Sequence, residues 1–266
     1  MSFSGLGKVL SNEKTGPEQF LMVIHVPELA GQAKPGQFVH VRVNDVSDPL
    51  LRRPVSLYDI DRNAGTVSLL YQVVGRGTEL LSGIPAGAEV DVMGPLGNGF
   101  WIPEGIQKVL VVGGGIGNAP LFPLVRELKF RGVEQTVLLG GRTADLVAGL
   151  EGFKSLGVTV ETATDDGSIG RKGFVTQLAE DIITLNKHDY FFACGPGPML
   201  KQLIYVTGRH GIRGQVSLEE RMGCGVGACL ACVCKIKAET DDSGWDYKKV
   251  CVDGPVFEAG EVIIDG

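Results

Sequence analysis

Five of the six cysteines, Cys224, Cys229, Cys232, Cys234 and Cys251, fall in the final stretch of a 266-residue chain. Four of them follow the spacing Cys224-x4-Cys229-x2-Cys232-x18-Cys251. An x4 gap, an x2 gap and a distant fourth cysteine form a spacing that holds a [2Fe–2S] cluster. Thiolates grip the irons, and the first loop must wrap closely around a bulky anionic group. Gly223, Gly225 and Gly227 suit that task, because they let the backbone turn and aim N–H groups at sulfur. A structural zinc site is the alternative, although zinc sites usually pair C-x2-C knuckles. Cys234 is the surplus thiol. On a strand it shares a face with Cys232, so it is either a bystander or a ligand in place of Cys232.

A second group of residues could hold a nucleotide. Gly113-Gly114-Gly115-Ile116-Gly117-Asn118-Ala119-Pro120 follows the apolar run Lys108–Val112 and precedes a helical pattern. A strand–glycine loop–helix unit offers helix N-terminal amides to a pyrophosphate. Gly115 and Gly117 are the expected contacts, and Pro120 suits a first helical turn. Cys194-Gly195-Pro196 ends another apolar run, Tyr190–Ala193, at the sheet edge where ligands bind. All three are expected to face the same nucleotide. Asp165 and Asp166 follow the run Val158–Thr162; an acid beside the ribose favours NAD over NADP, because it repels a 2′-phosphate. Arg142 could reach a ribose or a phosphate.

These residues need elements to position them. Up to about residue 100 the chain carries short β runs, Phe20–Val26, Phe38–Val43 and Thr66–Val73, separated by Pro, Gly, Asn and Asp, and no helical period. This predicts a small barrel or sandwich. From Trp101 onward, strands at 108–112, 136–139, 158–162 and 190–193 alternate with helices over 121–131, 174–183 and 199–207, which predicts a parallel sheet. From Gly214 a cysteine- and glycine-rich module follows, too small to stand without a staple. The hydrophobic fraction of 44% supports real cores, and the net charge of −6 with 7% aromatics argues against a nucleic-acid binder. The N-terminus lacks a secretory pattern, so a cytoplasmic protein with reduced cysteines is expected.

The segment Arg52-Arg53-Pro54-Val55-Ser56, followed by Leu70-Tyr71-Gln72 and Gly77-Thr78 and then by the glycine loop and Cys-Gly-Pro, resembles the ferredoxin–NADP reductase family. That resemblance implies an antiparallel FAD-binding β-barrel at 1–101, an NAD-binding α/β domain at 102–213 and a [2Fe–2S] module at 214–266. Arg53, Pro54, Val55 and Ser56 match the family's flavin segment, Leu70, Tyr71 and Gln72 belong to the same motif order, and Gly77 and Thr78 match its pyrophosphate segment. Val55 stands where the family has an aromatic, leaving Tyr58 or Tyr71 to meet the flavin. The run Ser217–Cys232, with Val250–Phe257, further resembles the electron-transfer subunits of NAD-dependent (type B) dihydroorotate dehydrogenases. The implied activity is an oxidoreductase relay between NAD, FAD, the cluster and a separate FMN-containing catalytic subunit, two of each chain, in pyrimidine biosynthesis. No membrane or nucleic-acid partner is implied. The chain shows no orotate site of its own and no catalytic acid–base set; His25, His40, His188 and His210 are scattered and read as structural or surface residues. A related reductase subunit of a bifurcating transhydrogenase or sulfide reductase, with the same cofactors, is the nearest alternative. A zinc-stapled scaffold that keeps a dead reductase fold is a more distant one.

Overall fold

The computed structural model describes residues 3–264 apart from 45, 47 and 239–243. Six strands, β1 (Phe3–Gly16), β2 (Gln19–His25), β3 (Phe38–Arg42), β4 (Arg53–Asp61), β5 (Thr66–Gln72) and β6 (Glu89–Leu96), close into a barrel in the order β1-β2-β5-β4-β3-β6. All pairings are antiparallel. Along β6 every second residue is buried, starting with Val90 and Val92. That two-residue period lets one face fill the barrel with Val39, Leu57 and Leu69 while the other stays wet, and closure leaves no open edge. Two short helices, α1 (Pro27–Gln32) and α2 (Arg76–Ser82), interrupt a region whose sequence shows no helical period. At six and seven residues they are too short to show one; tertiary packing of Leu29 and Leu81 holds them.

The second layer is a seven-stranded sheet. Its members are β7 (Lys108–Gly114), β8 (Glu134–Gly141), β9 (Thr159–Thr164), β10 (Arg171–Lys172), β11 (Tyr190–Cys194), β12 (Arg213–Ser217) and β15 (Val256–Glu258), in the order β10-β9-β8-β7-β11-β12-β15. Every pairing is parallel except that of β12 with β15. Residues of β7 alternate between two cores. Val109 and Val111 join Leu124 and Phe153 of α3 (Phe122–Phe130) and α4 (Leu150–Ser155). Leu110 and Val112 join Leu178 and Leu203 of α5 (Val175–Leu185) and α6 (Gly197–Arg209). Helices on both faces explain why the central strands read as unbroken apolar runs. The order reverses between β7 and β11, which creates a crevice at their carboxyl ends. The glycine loop passes through a 3₁₀ turn, Gly115–Leu121, before α3 begins. Pro120 therefore sits inside that turn, and Pro123 occupies the first turn of the α-helix expected there.

The expected boundary at 213/214 falls at the start of β12, a sheet strand. The remaining strands, β13 (Val233–Lys237), β14 (Trp245–Lys249) and β16 (Val262–Ile263), form a separate antiparallel sheet, β14-β13-β16. Among the described residues no helix is long and apolar enough to cross a membrane.

Candidate functional site

The cysteine loop builds a cradle for thiolates. Backbone N–H groups of Val226 (3.4 Å), Ala228 (3.2 Å) and Cys229 (3.4 Å) point at Cys224 Sγ. The Cys224 N–H donates to Cys229 Sγ, and the Cys251 N–H to Cys232 Sγ, each at 3.4 Å. This convergence requires left-handed backbone at Gly225 (φ 71°) and Gly227 (φ 80°), which glycine adopts at little cost. The Val226 amide and its neighbours pull the Cys224 thiol down to about 6, whereas burial pushes Cys251 up. A buried thiol of that kind ionises readily only beside a metal cation.

Among the described residues no three His, Cys, Asp or Glu side chains gather around one metal ion. Backbone amides link the cysteines in two pairs, Cys224 with Cys229 and Cys232 with Cys251. Two thiolates for each of two irons fit that set better than four on one zinc. Cys234 packs in the core with Ile236 and Phe257, and burial raises its thiol to about 11.

The barrel holds this module in place. Asn98 Nδ2 donates to the carbonyls of Val252 (3.0 Å) and Asp253 (3.1 Å), and its own N–H donates to Gly254 O. The turn that presents Cys251 is thus tied to the end of β6 on one side and continues into β15 on the other.

A cleft of about 330 Å3 lies beside the module. Pro54, Val55, Ser56, Leu70, Tyr71, Gln72 and Thr78 line it, as do Phe38, Ile116, Ala119, Leu218, Glu219, Met222 and Pro255. Arg53 and Gly77 are one residue away from lining positions and touch each other: a Cβ on Gly77 would run into the Arg53 guanidinium. The neighbouring Arg52 is committed to Asp91 at 2.6 Å, whereas the Arg53 guanidinium donates to the Leu51 carbonyl at 2.5 Å. The Thr78 hydroxyl is occupied by Val74 and Gly75, which leaves its amide as the available donor. Tyr58 is turned away and stacks on Phe122 at 4.6 Å, whereas Tyr71 lines the cleft with its hydroxyl held by Asn12 at 2.9 Å.

A larger cleft of about 600 Å3 opens at the carboxyl ends of β7, β8, β9 and β11, with Gly114, Gly115, Ile116, Arg142, Asp165, Phe174 and Pro196 in its wall. Gln72 and Ile116 line both clefts, so the two adjoin. The structure separates the paired acids. Asp166 is engaged by Ser168, which holds its carboxyl below the usual range, and Asp165 alone faces the cleft. Gly117 packs under Gly195, where a Cβ would meet the Gly195 Cα at 2.7 Å. Cys194 is buried at the end of β11 and lines neither cleft. Burial raises its thiol well above the ordinary value.

Phe38, Met222, Leu218, Pro255 and Asn98 were not foreseen as site residues. They reach the site from four distant segments, and no local spacing marks them. Leu218, Pro255 and Met222, the last two residues before Cys224, carried a positional hint, lying in the runs 217–232 and 250–257.

The family model of the iron–sulfur cluster binding domain of dihydroorotate dehydrogenase B matches residues 219–263. The chain is 44% identical over 256 residues to the dihydroorotate dehydrogenase B (NAD(+)) electron transfer subunit of Desulforamulus reducens, covering 96% of this chain and 97% of that one. It is 45% identical over 260 residues to the subunit of the same name from Lysinibacillus sphaericus, with 97% of each covered. A solved structure of the NADH-dependent reduced ferredoxin-NADP oxidoreductase, described in connection with flavin-based electron bifurcation, superposes with TM-score 0.87 at 33% identity. It covers 99% of this chain and 92% of that one.

Proposed function

The chain belongs to the family of electron-transfer subunits of dihydroorotate dehydrogenase B, and from that premise we propose that it carries electrons from a dihydroorotate-oxidising partner to NAD+. The observation that carries this reading is the contiguity of three sites. The nucleotide cleft shares Gln72 and Ile116 with the flavin cleft, and the flavin cleft is walled by Met222, beside the cysteine cradle.

When bound, FAD and a [2Fe–2S] cluster supply the conversion between a two-electron hydride and single electrons. The protein's residues do the positioning. Arg53 and the Thr78 amide neutralise and orient the FAD pyrophosphate. Pro54, Val55, Ser56, Tyr71 and Phe38 wall the isoalloxazine and keep water from it. Leu70 and Gln72 complete that wall. Gly115 allows close approach of NAD pyrophosphate, Gly117 lets its loop pack under Gly195, and Gly195 and Pro196 shape the nicotinamide end, with Cys194 buried beneath. Asp165 selects the unphosphorylated ribose. Cys224, Cys229, Cys232 and Cys251 hold the cluster.

Cys229, Val226, Leu230 and Val252 are exposed around the cradle. The proposed partner, an FMN-containing catalytic subunit, docks there, two of each chain in the assembly. The bifurcating-enzyme reading rests on a 33% identical structure and is weaker than one resting on relatives at 44–45% over the whole chain.

The test is analysis of anaerobically purified protein, followed by reconstitution with a dihydroorotate-oxidising FMN subunit. Flavin, two irons per chain and restored NAD+ reduction by dihydroorotate are expected. A cluster-loaded, flavin-loaded protein that oxidises NADH yet fails in reconstitution overturns the assignment.

A further inference from the structure

His40 lies on β3, wholly buried, and among the described residues neither ring nitrogen has a hydrogen-bond partner. A neutral imidazole always carries one N–H donor and one acceptor nitrogen. Burying both without partners is costly, and an apolar residue of similar size would avoid that cost. Burial, aided by the nearby Arg52 cation, holds His40 near 4, so the ring is neutral.

What the ring faces is specific. A Cβ on Gly225 would stand 2.7 Å from His40 Cε1, 2.9 Å from Nε2 and 3.0 Å from Nδ1. The imidazole therefore lies flush against the cysteine loop, one residue from Cys224. It does not line the flavin cleft, but its neighbours do. Phe38, two residues back on the same strand, lines that cleft and sits 5.8 Å from the His40 ring, and Pro54, its cross-strand partner on β4, lines it too.

Resting on the cluster reading above, we propose that the His40 ring N–H donates a hydrogen bond to a sulfur of the iron–sulfur centre. His40 is thus a positioning residue that makes the cluster easier to reduce and seats it against the flavin-bearing barrel. Sulfur is the acceptor class that fits: the loop is built to converge donors on sulfur, and hydrogen bonds to cluster sulfurs raise the reduction potential. The orphaned donor is satisfied once the cluster is in place.

The experiment uses the holoprotein grown with 15N-labelled histidine, its cluster reduced and read by pulsed EPR. A weak coupling to a labelled histidine nitrogen is expected, lost in His40→Phe. In redox titration the His40→Phe cluster is expected to be about tenfold harder to reduce relative to the flavin. His40→Gln, which keeps an N–H donor, is expected to recover most of that loss. A cluster signal without histidine coupling in the labelled wild type overturns the proposal, as does an unchanged potential in fully loaded His40→Phe. Should His40→Phe fail to fold, the labelled wild type decides alone. Absence of any cluster signal overturns the cluster reading and this proposal together.

Discussion

Cys229 is exposed while Cys232 and Cys251 are buried, so its replacement perturbs packing least. Cys229→Ser is expected to abolish the cluster and transfer to the partner, with NADH reduction of FAD surviving in stopped-flow; loss of both would show that the module also supports the fold. Gly225→Ala tests the cradle from the backbone side. Left-handed conformation alone costs about 1–2 kcal/mol for alanine, and the added methyl meets the fully buried His40 ring, which has nowhere to go. Iron content after anaerobic purification is expected to fall sharply. Asp165 faces the nucleotide cleft with Arg142 beside it. Asp165→Asn removes the charge that repels a 2′-phosphate and should raise kcat/KM for NADPH relative to NADH by about tenfold, and an unchanged ratio would remove Asp165 from specificity. At this scale the sequence was legible in its spacing: the expected set Cys224, Cys229, Cys232 and Cys251 lies in two pairs joined by amide–sulfur bonds. It was not legible where twins compete. Nothing in Arg52-Arg53 or Asp165-Asp166 shows which member pairs with Asp91 or Ser168.

Helices with full periods were readable because their burial is periodic, and the central strands β7 and β11 because they are continuously buried apolar runs. The helices expected at 121–131, 174–183 and 199–207 appear as α3, α5 and α6, shifted by one or two residues at every end. The first strand, β1, escaped notice. Its fourteen residues, FSGLGKVLSNEKTG, are mostly exposed or half-buried, and glycine and charge dilute the alternation. It is a strand because β2 and β6 pair with it on either side, which is tertiary information. β15 was equally hidden: three residues are too few to show a period, and their antiparallel pairing with β12 depends on the turn after Cys251. That turn is where an element-scale prediction belongs. Asn98 supplies two side-chain hydrogen bonds to it from the barrel, both exposed to solvent, so the pair contributes about 1 kcal/mol. Asn98→Ala is expected to leave the barrel folded but to speed bleaching of the cluster in chelator several-fold. An unchanged bleaching rate would mean that β15 alone fixes the Cys251 turn.

At the scale of the molecule, the two clefts and the cysteine loop adjoin because two sutures join the layers. One, between barrel and sheet, is the Tyr58–Phe122 stack, with Arg126 bonded to Asp59 and the Ile60 carbonyl. The other is the clasp of residues 97–98 on 252–255. Neither is visible in a sequence, since each joins residues dozens to more than a hundred positions apart; what was visible was the inventory of modules, not their contact. At the cysteine loop, the docking face proposed above, the surface is unusual. Leu230, 61% exposed, adopts φ 59°, a conformation that glycine or asparagine holds more cheaply than leucine. A leucine kept in strained backbone, bare to water and next to exposed Cys229, is stabilising neither the loop nor a core. With Val226 and Val252, 52% and 40% exposed, it forms an apolar collar around the cysteine loop, and interface cores are the more apolar part of a binding surface. Leu230→Asp relieves the backbone, because aspartate tolerates this conformation better, and places a charge in the collar. Affinity for the catalytic subunit is expected to fall about 10–100-fold by calorimetry, with iron content measured in the same sample. Wild-type affinity at full iron content would move the docking face elsewhere on the molecule.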